Sequence, residues 1–129
     1  MDKEELKEKL TAEEYHITQE GGTEVPFSGE FVDHAEEGSY TCKVCGQVLF
    51  ASDAKLNSHE GPAGLQGWPA FDDAIPGSVT YKDDESLGMH RTEVVCSQCG
   101  AHLGHLFDDA TKTGKHFCTN SAGLCFIKK

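Results

Sequence analysis

Short runs of β-branched and aromatic residues, each bounded by glycine, proline or polar residues, recur along most of the chain. They lie at residues 30–32, 39–41, 48–50, 78–81 and 92–95 and in the C-terminal run. Such runs are typical of short strands, and no helical pattern separates them. The pattern therefore predicts a mainly β fold, as an antiparallel sheet or a small barrel, rather than an α/β fold.

The N-terminal segment follows the periodicity of a helix instead. Leu6 and Leu10 lie four residues apart among charged residues, and Thr11 with Glu14 matches a capping box that would begin a second helix. We predict that residues 1–21 form helices that pack on the β core, within a single domain spanning residues 1–129.

Composition and charge exclude several classes of partner. The 129 residues include 22 acidic residues against 11 lysines and arginines, and the formal net charge of −11 argues against nucleic acid as a partner. No apolar run approaches the roughly 18 residues that a membrane span needs, and the start is no signal peptide. We expect a cytoplasmic monomer that binds neither membrane nor nucleic acid.

Four of the six cysteines form two Cys-x-x-Cys pairs, Cys42 with Cys45 and Cys96 with Cys99, about 50 residues apart. Four thiolates with this spacing predict one structural zinc ion per chain. Two reactive dithiols are the alternative. They fit less well, because neither pair opens a helix after a strand, as a thioredoxin-like site would.

The other two cysteines are Cys118 and Cys125. Lys115 and His116 precede Cys118, and Asn120 follows it, so cationic and hydrogen-bonding groups surround this thiol. Such surroundings favour the thiolate, which is the nucleophilic form of cysteine. We predict that Cys118 is a nucleophile.

Two histidines and one tryptophan are further candidates. His102 and His105 follow the second cysteine pair, and since four cysteines complete a zinc site, the histidines are free to hydrogen-bond or to deliver a proton near a thiolate. Either one could instead be a core histidine. Trp68, the single tryptophan, lies between glycine and proline, and composition alone favours a core position for it.

Motifs along nearly the whole chain, in the same order, resemble the methionine-R-sulfoxide reductases of the MsrB family. They lie at residues 67–71, 91–94, 102–109 and 117–122, with further likeness between residues 10 and 31. The resemblance implies two antiparallel β-sheets with peripheral helices. It also implies an enzyme that reduces methionine-R-sulfoxide, free or in peptides, through a sulfenic acid on cysteine, and that thioredoxin or another thiol recycles.

The resemblance also implies roles for individual residues. Cys118 matches the catalytic cysteine, and Trp68 matches the tryptophan whose indole receives the substrate methyl group. Phe117 and His116 would join Trp68 in binding substrate. The other catalytic positions match His102, His105, Asp109 and Asn120. The structural zinc ligands match Cys42, Cys45, Cys96 and Cys99.

Three positions depart from the family pattern. Gln66 stands where the family often has a resolving cysteine, His116 stands where it has arginine, and Cys125 occupies a position that is commonly basic. Histidine loses its charge near neutral pH, whereas arginine keeps it, so His116 predicts a narrower pH range for activity. Alternatively, position 116 faces solvent and Lys115 supplies the positive charge.

Cys125 could in principle replace the missing resolving cysteine. If the seven-residue step from Cys118 is an extended strand, however, the two Cα atoms lie roughly 23 Å apart, and a disulfide requires about 7 Å or less. We therefore expect an external thiol such as thioredoxin to attack the sulfenic acid directly.

A non-catalytic zinc-binding interaction module is the second hypothesis. The paired cysteines on a β scaffold also resemble modules related to guanine-nucleotide exchange chaperones. Such a module has no need of Cys118, Trp68 or the two histidines. Reduction of a methyl aryl sulfoxide with dithiothreitol distinguishes the two hypotheses.

Overall fold

A computed structural model describes residues 3–56, 66–85, 91–108 and 113–129. The elements in chain order are helices α1 (Lys3–Lys9) and α2 (Ala12–Glu20), and strands β1 (Gly38–Cys42), β2 (Val48–Ala51), β3 (Ala70–Phe71), β4 (Val79–Asp84), β5 (Arg91–Cys96), β6 (His102–Asp108), β7 (Lys115–Thr119) and β8 (Leu124–Lys128). Short 3₁₀ turns at Ser52–Ala54 and Ser121–Gly123 follow β2 and precede β8.

The strands form two antiparallel sheets, which confirms the predicted fold class. One sheet has the order β2-β1-β8 and the other has the order β3-β7-β6-β5-β4. Strands β4 to β7 pair with their neighbours in sequence, whereas β1 pairs with β8 at the other end of the chain. In the five-stranded sheet, β6 and β7 therefore lie in the interior, with strands on both sides.

The N-terminal helices form as the sequence predicts. The Glu14 amide donates to Thr11 Oγ1 at 3.1 Å and the Thr11 amide donates to Glu14 Oε1 at 2.9 Å, which completes the capping box. Helix α2 ends at Gly21, whose φ of 70° is the left-handed conformation that glycine adopts without strain. Leu6 and Leu10 are buried and belong to the hydrophobic core.

Aromatic side chains from both sheets make up the centre of that core. Tyr40 and Phe50 come from the three-stranded sheet, and Phe71 and Phe117 come from the five-stranded sheet. Phe50 stacks on Phe71 with ring centroids 4.3 Å apart, and Phe117 meets Phe50 edge-on. The back of β7 is thereby fixed against the core.

The structure corrects two details of the predicted strands. Residues 30–32 form turns, in which the Val32 and His34 amides donate to the carbonyls of Gly29 and Phe31, although Phe31 and Val32 are buried. The C-terminal run divides into β7 and β8 with a 3₁₀ turn between them. The pattern also missed β3 and β6.

Candidate active site and candidate metal centre

A cavity of about 90 Å³ lies beside the middle of β7. Cys118 is on this strand, directly opposite His105 of β6. Residues directly opposite each other in antiparallel strands have Cβ atoms roughly 5 Å apart, so the imidazole is within reach of the thiol. The cavity is lined by Thr23, Trp68, Arg91, Gly104, His105, Phe107, Cys118, Thr119 and Asn120.

Strand alternation divides the predicted site residues between two faces of the sheet. Glu93, His105 and Cys118 are register partners across three strands and share one face. Phe117 points the other way, is fully buried and packs against Phe50. The structure thus brings Cys118, His105, Trp68 and Asn120 together, and it places Phe117 in the core instead.

A β-bulge brings His102 to the face that carries His105. The two histidines are three positions apart, and in a regular strand this odd spacing would put them on opposite faces. The register shifts between Val94 and Val95, so that Val95 pairs with His102. The two imidazole centroids are consequently 5.4 Å apart.

Each histidine forms a hydrogen bond with a carboxylate of the same sheet, His102 with Glu93 on the neighbouring strand β5 and His105 with Asp84 on β4, one strand further away. His102 Nδ1 lies 2.6 Å from Glu93 Oε2, and His105 Nε2 lies 2.7 Å from Asp84 Oδ2. An ionised carboxylate only accepts hydrogen bonds, so these two ring nitrogens carry the protons. Burial lowers the pKa of His105, although the bond to Asp84 opposes this effect, which leaves a neutral ring with its second nitrogen available as a base.

Asp84, Arg91 and Glu93 also belong to the site, although the sequence alone assigned no role to them. Arg91 Nη2 donates to Asp84 Oδ2 at 3.2 Å, so Asp84 links the guanidinium to the imidazole of His105. Arg91 and Glu93 alternate along β5, and that alternation was the available signal. This alternation shows which side chains Arg91 and Glu93 meet only once the register of β5 with β6 is known.

The segment before Pro26 connects the two other predicted side chains in the cavity. The indole Nε1–H of Trp68 donates to the Glu24 carbonyl at 2.9 Å, and the Glu24 amide donates to Asn120 Oδ1 at 3.0 Å. Asn120 Nδ2 also donates to the Leu103 carbonyl at 3.2 Å. The polar end of the indole is thus satisfied within the protein, which leaves its apolar surface for a ligand in the cavity.

The structure contradicts the expectation that the neighbours of Cys118 favour a thiolate. Burial, and then the negative charge of Glu24, raise the pKa of Cys118 to about 12. Lys115 is exposed, and alternation puts it on the opposite face of β7. The thiol of the free protein is therefore protonated at neutral pH.

The remaining predicted residues lie in different places. His116 is buried, so the alternative in which it faces solvent is wrong. Asp109 falls outside the described residues. Cys125 is on β8 in the other sheet, and the 3₁₀ turn at Ser121–Gly123 separates it from Cys118. The extended path assumed for this step is therefore wrong.

Gly104, which lines the cavity, allows β6 and β7 to approach each other closely. A Cβ at this position would overlap the carbonyl oxygen of Cys118. We expect Gly104→Ala to lower the free energy of unfolding by about 2 kcal/mol or more in urea titrations, because two backbones must separate. Gly123→Ala is the matched control, since its Cβ would make only ordinary contacts. Equal stability of the two variants would contradict this close approach.

The second candidate site is a cluster of the four paired cysteines. Their sulfur atoms all lie within 4.8 Å of one another, with 3.6 Å between Cys42 and Cys99 and 3.5 Å between Cys45 and Cys96. Tetrahedral zinc with Zn–S bonds of about 2.3 Å places its sulfurs roughly 3.8 Å apart. The cluster therefore fits one four-coordinate metal ion.

The two cysteine pairs have the same local structure. In each, the glycine after the second cysteine has a positive φ, 83° at Gly46 and 78° at Gly100, and its amide donates to the first cysteine's carbonyl at 2.9 Å. Cys42 ends β1 and Cys96 ends β5, so the metal site joins the two sheets.

Comparisons with known proteins agree with this geometry. The SelR domain profile matches residues 10–128. "Methionine-R-sulfoxide reductase B3, mitochondrial" of Mus musculus is 52% identical over 95% of this chain, which spans 47% of that protein's length. The "Peptide methionine sulfoxide reductase MsrB" proteins of Methanosarcina barkeri and Leptospira interrogans are 50% and 44% identical, over 95% and 98% of this chain and 84% and 93% of their own lengths.

One similar solved structure is titled "Crystal Structure of Mis18 'Yippee-like' Domain". It covers 73% of this chain and 98% of its own with a TM-score of 0.53, and it is 20% identical. This likeness concerns the fold alone.

The fold and the cysteine-centred cavity define a small oxidoreductase of β architecture. The chain belongs to the SelR domain family, the methionine-R-sulfoxide reductases also called MsrB. Membership of this family indicates the reduction of methionine-R-sulfoxide as its activity and does not favour the non-catalytic module.

Proposed function

We propose that the cavity beside β7 binds the side chain of methionine-R-sulfoxide and that Cys118 reduces it. The observation that carries this proposal is the placement of Cys118 directly opposite His105 in a cavity also lined by Trp68. The small volume suits the sulfoxide end of the side chain, with the rest of the substrate outside, so free and peptide-bound methionine sulfoxide could both bind.

The reaction transfers oxygen from the substrate to the cysteine. The Cys118 sulfur attacks the sulfoxide sulfur and forms a transient S–S bond. The S–O bond of the substrate and this S–S bond then break as a bond forms between the oxygen and the Cys118 sulfur, which leaves a sulfenic acid that carries the original thiol proton. The cysteine loses two electrons and the sulfoxide gains them, which releases methionine. Because Cys118 starts as a thiol, its proton must move to the departing oxygen within the same step.

His105 is suited to move that proton. Its ring is neutral, its Nε2–H is held by Asp84, and the other nitrogen can take a proton from the thiol and return it to the oxygen. Arg91 lines the same cavity and can stabilise negative charge on the oxygen. His102, held by Glu93, supports His105 from the neighbouring position on the same face.

Regeneration requires two external thiol groups, which a thioredoxin-like reductant supplies. The first thiol attacks the Cys118 sulfenic acid, which releases water and forms a mixed disulfide. The second thiol displaces the cysteine and leaves the reductant as a disulfide. Gln66 supplies no thiol near Trp68, and Cys125 lies in the other sheet, so neither residue is given a role in this step.

The four-cysteine cluster is proposed to hold one zinc ion with a structural role. The soft thiolate donors and the sulfur spacing both suit zinc. Bound zinc would satisfy four thiolates, of which those of Cys42 and Cys96 are buried, and would fasten the end of β1 to the end of β5.

A reducing compartment would keep all six cysteines available as thiols or metal ligands, and we therefore place the protein in the cytoplasm. No helix in the described ranges is long and apolar enough to cross a bilayer. We propose that a monomer carries out the reaction, because the cavity of a single chain already holds the nucleophile Cys118 and the base His105.

The stereochemistry of the reaction tests the proposed binding mode. With the substrate methyl group against Trp68 and the oxygen toward Arg91 and His105, only one arrangement at sulfur places the sulfur next to Cys118. We expect the R epimer of methionine sulfoxide to be reduced and the S epimer to remain, as measured by chiral chromatography of a racemic mixture. Equal consumption of the two epimers would contradict this orientation.

A further inference from the structure

The carboxylate of Glu24 is buried next to the cavity, with 4% of the residue exposed. Its Oε1 accepts a hydrogen bond from the Ala122 amide at 3.0 Å. Gly29 packs so closely against it that a Cβ there would overlap the carboxylate and the Ser121 hydroxyl. Burial raises the pKa of Glu24, although bonds from Ala122 and Ser121 oppose the shift. Nothing in the reaction above uses this carboxylate.

The backbone of the same residue joins two sides of the cavity. The Glu24 amide donates to Asn120 Oδ1 and its carbonyl accepts from Trp68 Nε1, while Thr23 just before it lines the cavity. The side-chain bond to Ala122 therefore ties this backbone to the turn that immediately follows β7, the strand of Cys118.

We propose that Glu24 is a positioning residue for the reaction: its carboxylate anchors the backbone that holds the indole of Trp68 and the amide of Asn120 around the thiol of Cys118. This inference rests on the proposed function of the cavity. Glu24 is not among the described residues that line the cavity. It acts through the two side chains that its backbone binds.

The negative charge of Glu24 gives this role a second measurable effect. After burial, Glu24 is the cause that raises the pKa of Cys118. Among the residues that the structure describes, the other charged or titratable groups that line the cavity around the thiol are Arg91 and His105. The far side of Glu24 faces a separate cavity whose charged lining residues are Glu13, Glu14, Glu30 and Lys43.

Two variants separate the anchoring effect from the charge. Glu24→Gln keeps an oxygen that can accept from Ala122 but removes the charge. We expect the pH profile of Cys118 alkylation by iodoacetamide, followed by mass spectrometry of the Cys118 peptide, to move to lower pH by on the order of one unit. The emission of Trp68 should stay unchanged, and KM for methionine-R-sulfoxide should stay within about twofold.

Glu24→Ala removes the anchor as well as the charge. We expect the emission of Trp68, the only tryptophan, to shift to longer wavelength as its environment opens. We also expect KM to rise about tenfold, the size of effect that follows loss of one hydrogen bond to a charged group. The alkylation profile should move as it does in Glu24→Gln.

The alkylation and emission measurements do not require turnover. If the protein fails to reduce the sulfoxide, the proposed function is refuted, while these two measurements still test the role of Glu24. A Glu24→Gln profile that superimposes on that of the unmodified protein overturns the charge effect of Glu24 on Cys118. If Glu24→Ala has the same Trp68 emission and the same KM as Glu24→Gln, the proposal is overturned. If Glu24→Ala does not fold, Glu24→Asp, which keeps the charge but shortens the side chain that reaches the Ala122 amide, replaces it, and a Trp68 emission and KM equal to those of the unmodified protein would overturn the proposal.

Discussion

Replacing Cys118 with serine is expected to lower the rate of methionine-R-sulfoxide reduction by about 10⁴-fold or more, because a hydroxyl is a far weaker nucleophile and cannot form a sulfenic acid. The protein should remain folded, since the substitution removes no core contact from Phe117 on the opposite face of β7. The measurement is the rate of reduction of a methyl aryl sulfoxide with dithiothreitol as the reductant.

Cys125→Ser is the matched control for this prediction. It makes the same chemical change at a cysteine in the other sheet, and we expect it to leave dithiothreitol-driven turnover intact. After one equivalent of sulfoxide, mass spectrometry should find a sulfenic acid on Cys118. Retention of activity in Cys118→Ser would exclude Cys118 as the nucleophile. Loss of thioredoxin-linked cycling in Cys125→Ser, with single turnover spared, would identify Cys125 as a resolving thiol.

Loss of one cluster cysteine is the second change for which we expect a large effect. Cys42→Ser or Cys96→Ser should release the metal ion, which metal analysis of the purified protein would show as a fall from one zinc per chain. A structural zinc contributes directly to folding. A loss of roughly 4 kcal/mol in a chain of this size lowers Tm by about 15 °C or more. Thermal unfolding followed by circular dichroism measures that shift.

Cys125→Ser serves as the control here also, since it removes a thiol outside the cluster. It should keep its zinc and its Tm. A protein that is folded and active but contains no metal would refute the zinc assignment. A metal-free Cys42→Ser protein with an unchanged Tm would refute the structural role while leaving the binding site in place.

The sequence was sufficient to predict the elements that are held together by contacts between residues close along the chain. The capping box at Thr11 and Glu14 fixes the start of α2 through bonds between residues three apart, so the sequence alone predicts it. The two Cys-x-x-Cys-Gly turns are equally local, and their chemistry predicted the cluster before its geometry was known. The strand predicted at residues 30–32 is wrong, because Phe31 and Val32 are buried in a turn and therefore give the same apolar pattern as a strand.

The electrostatics of the cavity could not be predicted from neighbours in sequence. Lys115 and His116 flank Cys118 along the chain, yet the group that raises its pKa after burial is Glu24, 94 positions earlier. Glu93 reaches His102 from the neighbouring strand β5, and Asp84 reaches His105 from β4, two strands away. Each of these pairings depends on sheet register, and the register of β5 with β6 contains a bulge that alternation alone does not reveal.

The metal cluster has a consequence for the order of folding. Cys45 and Cys96 are 51 positions apart, and closing a chain segment of that length costs about 3.5 kcal/mol of entropy beyond a constant. Strands β4 to β7 need only local hairpins, whereas β1 must find β8 across most of the chain. A metal ion that binds early closes the segment between the cysteine pairs. It brings the end of β1 next to the end of β5, one of the strands β4 to β7, before β8 pairs with β1. Refolding of this chain is therefore expected to accelerate with the concentration of free metal.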